Sequence, residues 1–332
     1  MQSRKYGPFL MVPAGKDYLW GGSRLKDDFA KEADLTPLAE TWECSTHPDG
    51  LSHIASGPFQ GMALGDVIRS HPEFLGTHPE NNKGELPVLI KLIDAKQNLS
   101  VQVHPDDEYA KKYENGQQGK SEMWYVMDAE PGAELIYGFY HDITKETLRR
   151  AIGNGTVEKY LQRVPIYKDD AFFIPAGQVH AIGAGALIAE VQQSSNLTYR
   201  MYDYGRLEKD GKPRELHVDK ALDVANRKGS AAPRQPMRVF RFKNGAAYDL
   251  LCRCKYFQVE RMLLNTEICR QMASVQAGAN SFEVLLCTEG CGVYYWGEKE
   301  SLNFYKGDCV FLPADSAEVR IHGRAQLLRI TC

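Results

Sequence analysis

Nowhere does this chain of 332 residues run long enough without a charge to cross a membrane, and its opening stretch, MQSRKYGPFLMVPAGKDYLWGG, lacks an apolar core of secretory-signal length. Both absences point to the cytoplasm. An excess of one charge is missing too: 40 Lys and Arg against 43 Asp and Glu leave a formal net charge of -3, with no basic tract. Such a chain offers no field for nucleic acid or an anionic membrane, so any anion it binds must be held by a few local donors. Before residue 252 the only cysteine is Cys44; the others are Cys252, Cys254, Cys269, Cys287, Cys291, Cys309 and Cys332. That spacing fits no secreted disulfide framework, and the thiols are expected to be free. A metal site built from Cys252, Cys254, Cys287 and Cys291 is the poorer alternative, because paired C-x2-C knuckles are absent.

What is present is ordinary for a folded globular protein, with 43% hydrophobic and 25% charged residues. The length favours two domains. Short apolar stretches rich in β-branched and aromatic residues, broken by Gly, Pro, Asn and Asp, predict a mainly β, antiparallel fold. Helices are expected only as interruptions: over Leu64 to Phe74, Asp106 to Tyr113, Thr144 to Leu161 and Val218 to Asn226. The segment KGSAAPRQ, Lys228 to Gln235, is small, basic and aperiodic, and reads as a linker. Lys168 to Ile182 (KDDAFFIPAGQVHAI) can be laid over Lys306 to Arg320 (KGDCVFLPADSAEVR), and more loosely SEMWYV at Ser121 over FEVLLC at Phe282. Two related β-barrels, residues 1–233 and 234–332, account for that repeat.

The chemistry gathers in three segments. In NLSVQVHPDDEYA, Gln102 and His104 are two apart in a strand-like run and so share a face, although a hydrogen-bonded pair would look the same. In GKSEMWYV, Glu122 is either a rim carboxylate or an inward ligand. In FFIPAGQVHAI, Pro175 and Gly177 turn the chain into a strand near His180, which alone would read as a structural histidine. Together Gln102, His104, Glu122 and His180 offer two nitrogens and two oxygens, a set suited to Zn²⁺ and tolerable to Mn²⁺, Fe²⁺ or Co²⁺.

VQVHPD, GKSEM, IPAGQVHA and QQSSNLTYRMYDYGR, with LWGG at Leu19 and ETWECSTHPDG at Glu40, closely resemble the type I phosphomannose isomerases, in their short bacterial form. The resemblance runs in order from about Trp20 to Arg206 and loosens beyond Lys228. It implies two cupin (jelly-roll) barrels with a few inserted helices. It also implies one zinc ion per chain on Gln102, His104, Glu122 and His180, and interconversion of mannose 6-phosphate and fructose 6-phosphate through an enediol. The partner is then a small sugar phosphate. A proton next to a carbonyl is weakly acidic, so such a site must stabilise charge developing on oxygen.

By the same resemblance, Arg200 and Lys120 match catalytic-centre residues. Ser100 and Arg206 match phosphate contacts, which suits a dianion's need for charge-assisted donors. Glu190, on the strand after His180, is either in the pocket or behind a ligand. Two positions depart from some members, which carry His where this chain has Gly119 and Asp where it has Asn196. Proton transfer is therefore expected from Lys120 or Glu190, while His47, His53 and His78 read as loop or rim histidines. In the second barrel Glu318 stands in the place of His180 and only Glu283 echoes Glu122, so residues 234–332 are expected to lack the metal site. The alternatives are a different sugar-phosphate isomerase, a sugar-binding cupin without turnover, or a metal-dependent oxygenase.

Overall fold

In the first half of the chain, charged residues interrupt strands that are otherwise apolar on both faces, as in VLIKLID and ALIAEVQQ, and such strands need a cover on each side. A computed structural model, describing residues 5–332 apart from 82, 83, 209, 232, 234 and 236, supplies both covers. A six-stranded antiparallel sheet contains Glu40–Cys44, Val88–Asp94, Glu122–Ala129, Ala171–Ile174 and Ala186–Gln193. Opposite it lies a five-stranded sheet with Val101–Val103, Glu134–Phe139, Leu161–Pro165, His180–Ile182 and Tyr199–Tyr202.

Side chains of one parity on the six-stranded sheet, including Ile93, Trp124, Val126 and Ile188, enter the core shared with Leu135 and Ile182 of the five-stranded sheet. The other parity, with Ile90, Leu92, Met123, Tyr125, Ala189 and Val191, packs on Val284, Leu286, Phe311, Leu328 and Ile330. Those partners belong to a ten-stranded sheet that forms most of the second half. The outer face of the five-stranded sheet is covered by the helices Lys145–Gly153 and Val218–Val224 through Leu148, Ile152, Ala221 and Leu222.

The internal repeat reappears as matched pairing. Ile174 is the register partner of Glu122, and Leu312 that of Glu283, so both copies set a carboxylate opposite the last apolar residue before Pro-Ala. The two halves are also interlaced, since the N-terminal strand Phe9–Val12 joins the ten-stranded sheet by pairing Phe9 with Phe311. Of the expected linker, Ala232 and Arg234 lie outside the described residues. Gly229 and Ser230 are tied to Asp142 and Phe139.

Helix ends differ from expectation where the backbone forbids continuation. The helix from Leu64 stops at Ser70 ahead of Pro72, with a 3₁₀ turn over Pro72–Leu75. The helix capped by Thr144 ends at Gly153, where Gly-Asn-Gly intervenes and Gly155 takes a φ of +70°, before a separate turn at Val157–Lys159.

A buried ion pair joins the halves: Lys31 Nζ lies 2.7 Å from Glu43 Oε2 and donates to Gly307 O at 2.6 Å. Burial outweighs Lys31 and Thr41 and pushes the Glu43 carboxyl up. Lys31→Met should lower stability by about 3 kcal/mol in urea unfolding, since Glu43 would keep its burial and lose its cation. A loss near zero would mean the pair is not needed at this junction.

Candidate metal centre and its cavity

Register places the site before any side chain is considered. Gln102 is paired directly with His180 on one side and with Arg200 on the other, and cross-strand partners point to the same face. Glu122 arrives from the opposing sheet, two residues before Trp124 on the same strand, and Trp124 pairs across to Glu190, which pairs in turn with Lys91. The site is thus closed by two sheets that the chain visits in alternation.

His104, Glu122 and His180 are all buried, and one ligand atom from each lies within 4.8 Å of the others. Nδ1 of His104 lies 2.8 Å from Leu197 O, and Nδ1 of His180 lies 2.8 Å from Gln178 O. A carbonyl can only accept, so Nδ1 carries the proton in each ring and Nε2 keeps a lone pair. Burial, reinforced by Lys120, lowers His104 to about 3, and burial likewise lowers His180, so both rings are neutral near pH 7. Their Nε2 atoms stand 3.5 and 3.3 Å from the two oxygens of Glu122.

Burial raises the Glu122 carboxyl, but Lys120 and the two histidines outweigh it and hold it well below its ordinary value. Neither of its oxygens accepts a hydrogen bond among the described residues. Four acceptor atoms therefore converge on one buried point, with the Lys120 ammonium beside two of them, an arrangement that calls for a cation. Gln102 Nε2 lies 3.4 Å from His180 Nε2, and a half turn of that amide would present its oxygen instead. The residues present fit a divalent metal with mixed nitrogen and oxygen ligation.

A cavity of about 280 Å³ opens beside this set, lined among others by Ser100, Gln102, Lys120, Glu190, Arg200 and Arg214. Arg200 Nε donates to Ser100 Oγ at 3.3 Å and Nη1 donates to Glu215 O at 2.9 Å. Asp203, three residues along the chain from Arg200, is held by Arg206 and Arg214. Arg206 also donates to Asn98 O and is absent from the cavity wall, where Arg214 stands with Arg200.

Both departures at Gly119 and Asn196 have a local reason. A Cβ at Gly119 would fall 2.4 Å from the Asp106 carbonyl carbon, so this loop is packed for glycine. Asn196 lines the cavity and donates to Asp49 Oδ2 at 2.7 Å, which brings a carboxylate to the rim. His47 interacts with that same Asp49, and His53 lies on the short strand His53–Ile54, away from the cavity wall.

Sequence reasoning overlooked Lys91. It is buried, with Nζ 3.1 Å from Glu190 Oε1, 3.8 Å from Glu40 Oε2 and 5.0 Å from the Trp42 ring. Trp42 Nε1 donates to Glu40 and Trp124 Nε1 to Glu190, each at 2.8 Å. Burial works against the Lys91 charge but is outweighed by Glu40, Glu190 and Glu122, which raise its pKa. The available signal was a lone lysine inside the apolar strand VLIKLID, where an unpaired charge would be intolerable.

Lys91→Met should cost about 3 kcal/mol at neutral pH by leaving Glu40 and Glu190 buried without their shared cation. Glu190 is already raised by burial and by Glu122. A carboxyl whose folded pKa lies above its unfolded value loses stability as pH rises between the two, so the deficit of the variant should shrink on acidification. A deficit that instead grows in acid, in urea titrations, would contradict the shared-cation account.

Residues 9–133 match the catalytic domain of phosphomannose isomerase type I. Mannose-6-phosphate isomerase ManA of Bacillus subtilis (strain 168) is 36% identical, over 97% of this chain and 98% of its own length. The crystal structure of the mannose 6-phosphate isomerase from Bacillus subtilis superposes with a TM-score of 0.88 at 33% identity, covering 98% of this chain and 99% of that one. A zinc-bound mannose 6-phosphate isomerase shares the fold, with a TM-score of 0.74 at 17% identity over 97% and 98% of the two chains.

Proposed function

Because this chain belongs to the type I phosphomannose isomerases and interconverts mannose 6-phosphate and fructose 6-phosphate, we propose that it does so with one zinc ion held by Gln102, His104, Glu122 and His180. The observation that carries the metal is the convergence of His104, Glu122 and His180 on one buried point, with neither Glu122 oxygen hydrogen-bonded among the described residues. Zinc is favoured by the ligand types and by the zinc-bound relative of the same fold. A single equivalent is supported by the second repeat, where Glu283, the counterpart of Glu122, is spent on Arg329 at 2.8 Å. The division of labour at about residue 233, with catalysis in the first barrel, follows from the same loss. Among the described residues no helix is long and apolar enough to cross a membrane. The cytoplasm, which keeps thiols reduced, is the compartment we propose.

When bound, the ion supplies a Lewis acid that orients the two reacting oxygens and stabilises charge developing on them. The chain's own groups do the rest. Arg200, held by Ser100 and Glu215, presents a planar donor fork to the cavity and is assigned to the substrate's anionic end and to the charge of the enediol. Ser100 adds a hydroxyl to the phosphate. Arg214 faces the same space, and Arg206 supports it from behind through Asp203. Lys120 and Glu190 are the groups we assign to moving the proton between the two adjacent carbons, Glu190 because burial favours its protonated form and Trp124 fixes its orientation.

Turnover of fructose 6-phosphate in a coupled assay should disappear on chelation and return with zinc. His104→Ala and His180→Ala should each lose metal, by elemental analysis, while circular dichroism stays native. A zinc equivalent that survives His180→Ala would move the metal elsewhere.

Arg200→Ala should lower kcat/KM by roughly tenfold to a hundredfold, as expected for a lost charge-assisted contact, and leave zinc content unchanged. Binding of a non-reacting sugar-alcohol phosphate separates its roles: weakened binding marks a phosphate grip, and unchanged binding with reduced kcat marks stabilisation of the enediol. If neither changes, Arg200 is outside the site.

A further inference from the structure

Lys120 is 4% exposed, and its ammonium addresses the same atoms as a bound ion would. Nζ lies 2.9 Å from Glu122 Oε2 and 3.3 Å from His104 Nε2. Two cations cannot draw on one carboxylate oxygen and one imidazole nitrogen at such range in a buried site without repulsion far above thermal energy. We propose that Lys120 is an internal counter-cation of Glu122 that competes with the metal, so that entry of the ion expels the ammonium into the cavity and thereby delivers it to the sugar. Metal loading and arming of the lysine are then one event. The inference rests on the reading of Gln102, His104, Glu122 and His180 as the metal site.

Three features support the exchange. Glu122 is fully buried, and no hydrogen bond to either oxygen is present among the described residues, so the Lys120 charge is its principal compensation when metal is stripped away. The Lys120 backbone N–H donates to Pro105 O at 3.0 Å, which fixes the main chain and confines the movement to the flexible side chain. Acceptors for the expelled ammonium are close by. Glu190 lines the same cavity as Lys120, and Gln192, the register partner of Glu122, has a buried Oε1 with no hydrogen bond among the described residues.

The test is equilibrium zinc affinity, measured on the full chain against a chromogenic chelator, with thermal unfolding of the zinc-loaded and stripped forms. Lys120→Met should bind zinc roughly tenfold more tightly or better, because the competitor is gone and the stripped state has lost the partner of a buried carboxylate. Its melting temperature should fall further than wild type's on stripping. Lys120→Gln keeps a donor to Glu122 without the charge; it should show the same tightening, and serves if the methionine variant does not fold. A lysine that merely supports structure would lower both melting temperatures alike and leave affinity unchanged, and that result overturns the proposal. So does weaker zinc binding, which would make Lys120 an ally of the metal. Wild type that takes up no zinc overturns the metal-site reading along with this one, whereas unchanged affinity in a zinc-binding wild type defeats the competition alone.

Discussion

A carboxylate with no exposure, faced by the lone pairs of two neutral imidazoles, sets the terms for the first half of this chain. Buried charge is tolerated only when compensated, and here the compensation is cationic: Lys120 beside Glu122, and the metal that we propose the cluster holds. Neighbouring groups follow the same constraint. Lys91 is shared by Glu40 and Glu190, and each of those carboxylates also accepts from a tryptophan N–H. The site is therefore an alternating array of buried charges in which each member holds its neighbours' protonation states. This is how a proton-transfer enzyme can keep a carboxyl with a raised pKa next to one with a depressed pKa.

Such an array needs walls that do not yield, and the six-stranded sheet provides them. One face carries Lys91, Glu122, Trp124 and Glu190, while the other packs Ile90, Met123, Tyr125 and Val191 against the second half of the chain. Polar links reinforce the apolar contact. Gln326 Nε2 donates to Tyr125 Oη at 2.7 Å, and Arg261 lies 3.4 Å from Asp169 while holding Asp249 by two bonds. The second half of the chain, whose Glu283 is tied up by Arg329, backs the strand that bears Glu122. That also explains why the halves are interlaced through Phe9–Val12 rather than merely linked.

Much of this was legible in the residues, for reasons that can be named. Gln102 and His104 share a face because a strand repeats every two residues, and the Lys168 and Lys306 segments fold alike because turn and strand signals recur in the same order. Helices at Asp107–Tyr113 and Lys145–Gly153 announce themselves with the caps Asp106 and Thr144, whose side chains accept from Tyr109 and Thr147. Lys91 and Arg214 escaped notice. Neither belongs to a motif, and their placement depends on strands brought together from distant parts of the chain. Arg206 and Arg214 are alike in sequence terms and both hold Asp203; Arg214 lines the cavity, whereas Arg206 is tied to Asn98 O.

The sequence by itself determined the mainly β architecture, the candidate residues His104, Glu122 and His180 that converge, and the family, because strand periodicity, turn residues and ordered motifs are local properties that survive in one dimension. Only the tertiary structure decided which lone pairs meet, which tautomer each histidine holds, which arginine borders the cavity, and that Lys120 sits where a metal would pull. Those outcomes depend on distances of a few ångströms between residues far apart in the chain, and on burial, which strengthens each charge's demand for a partner.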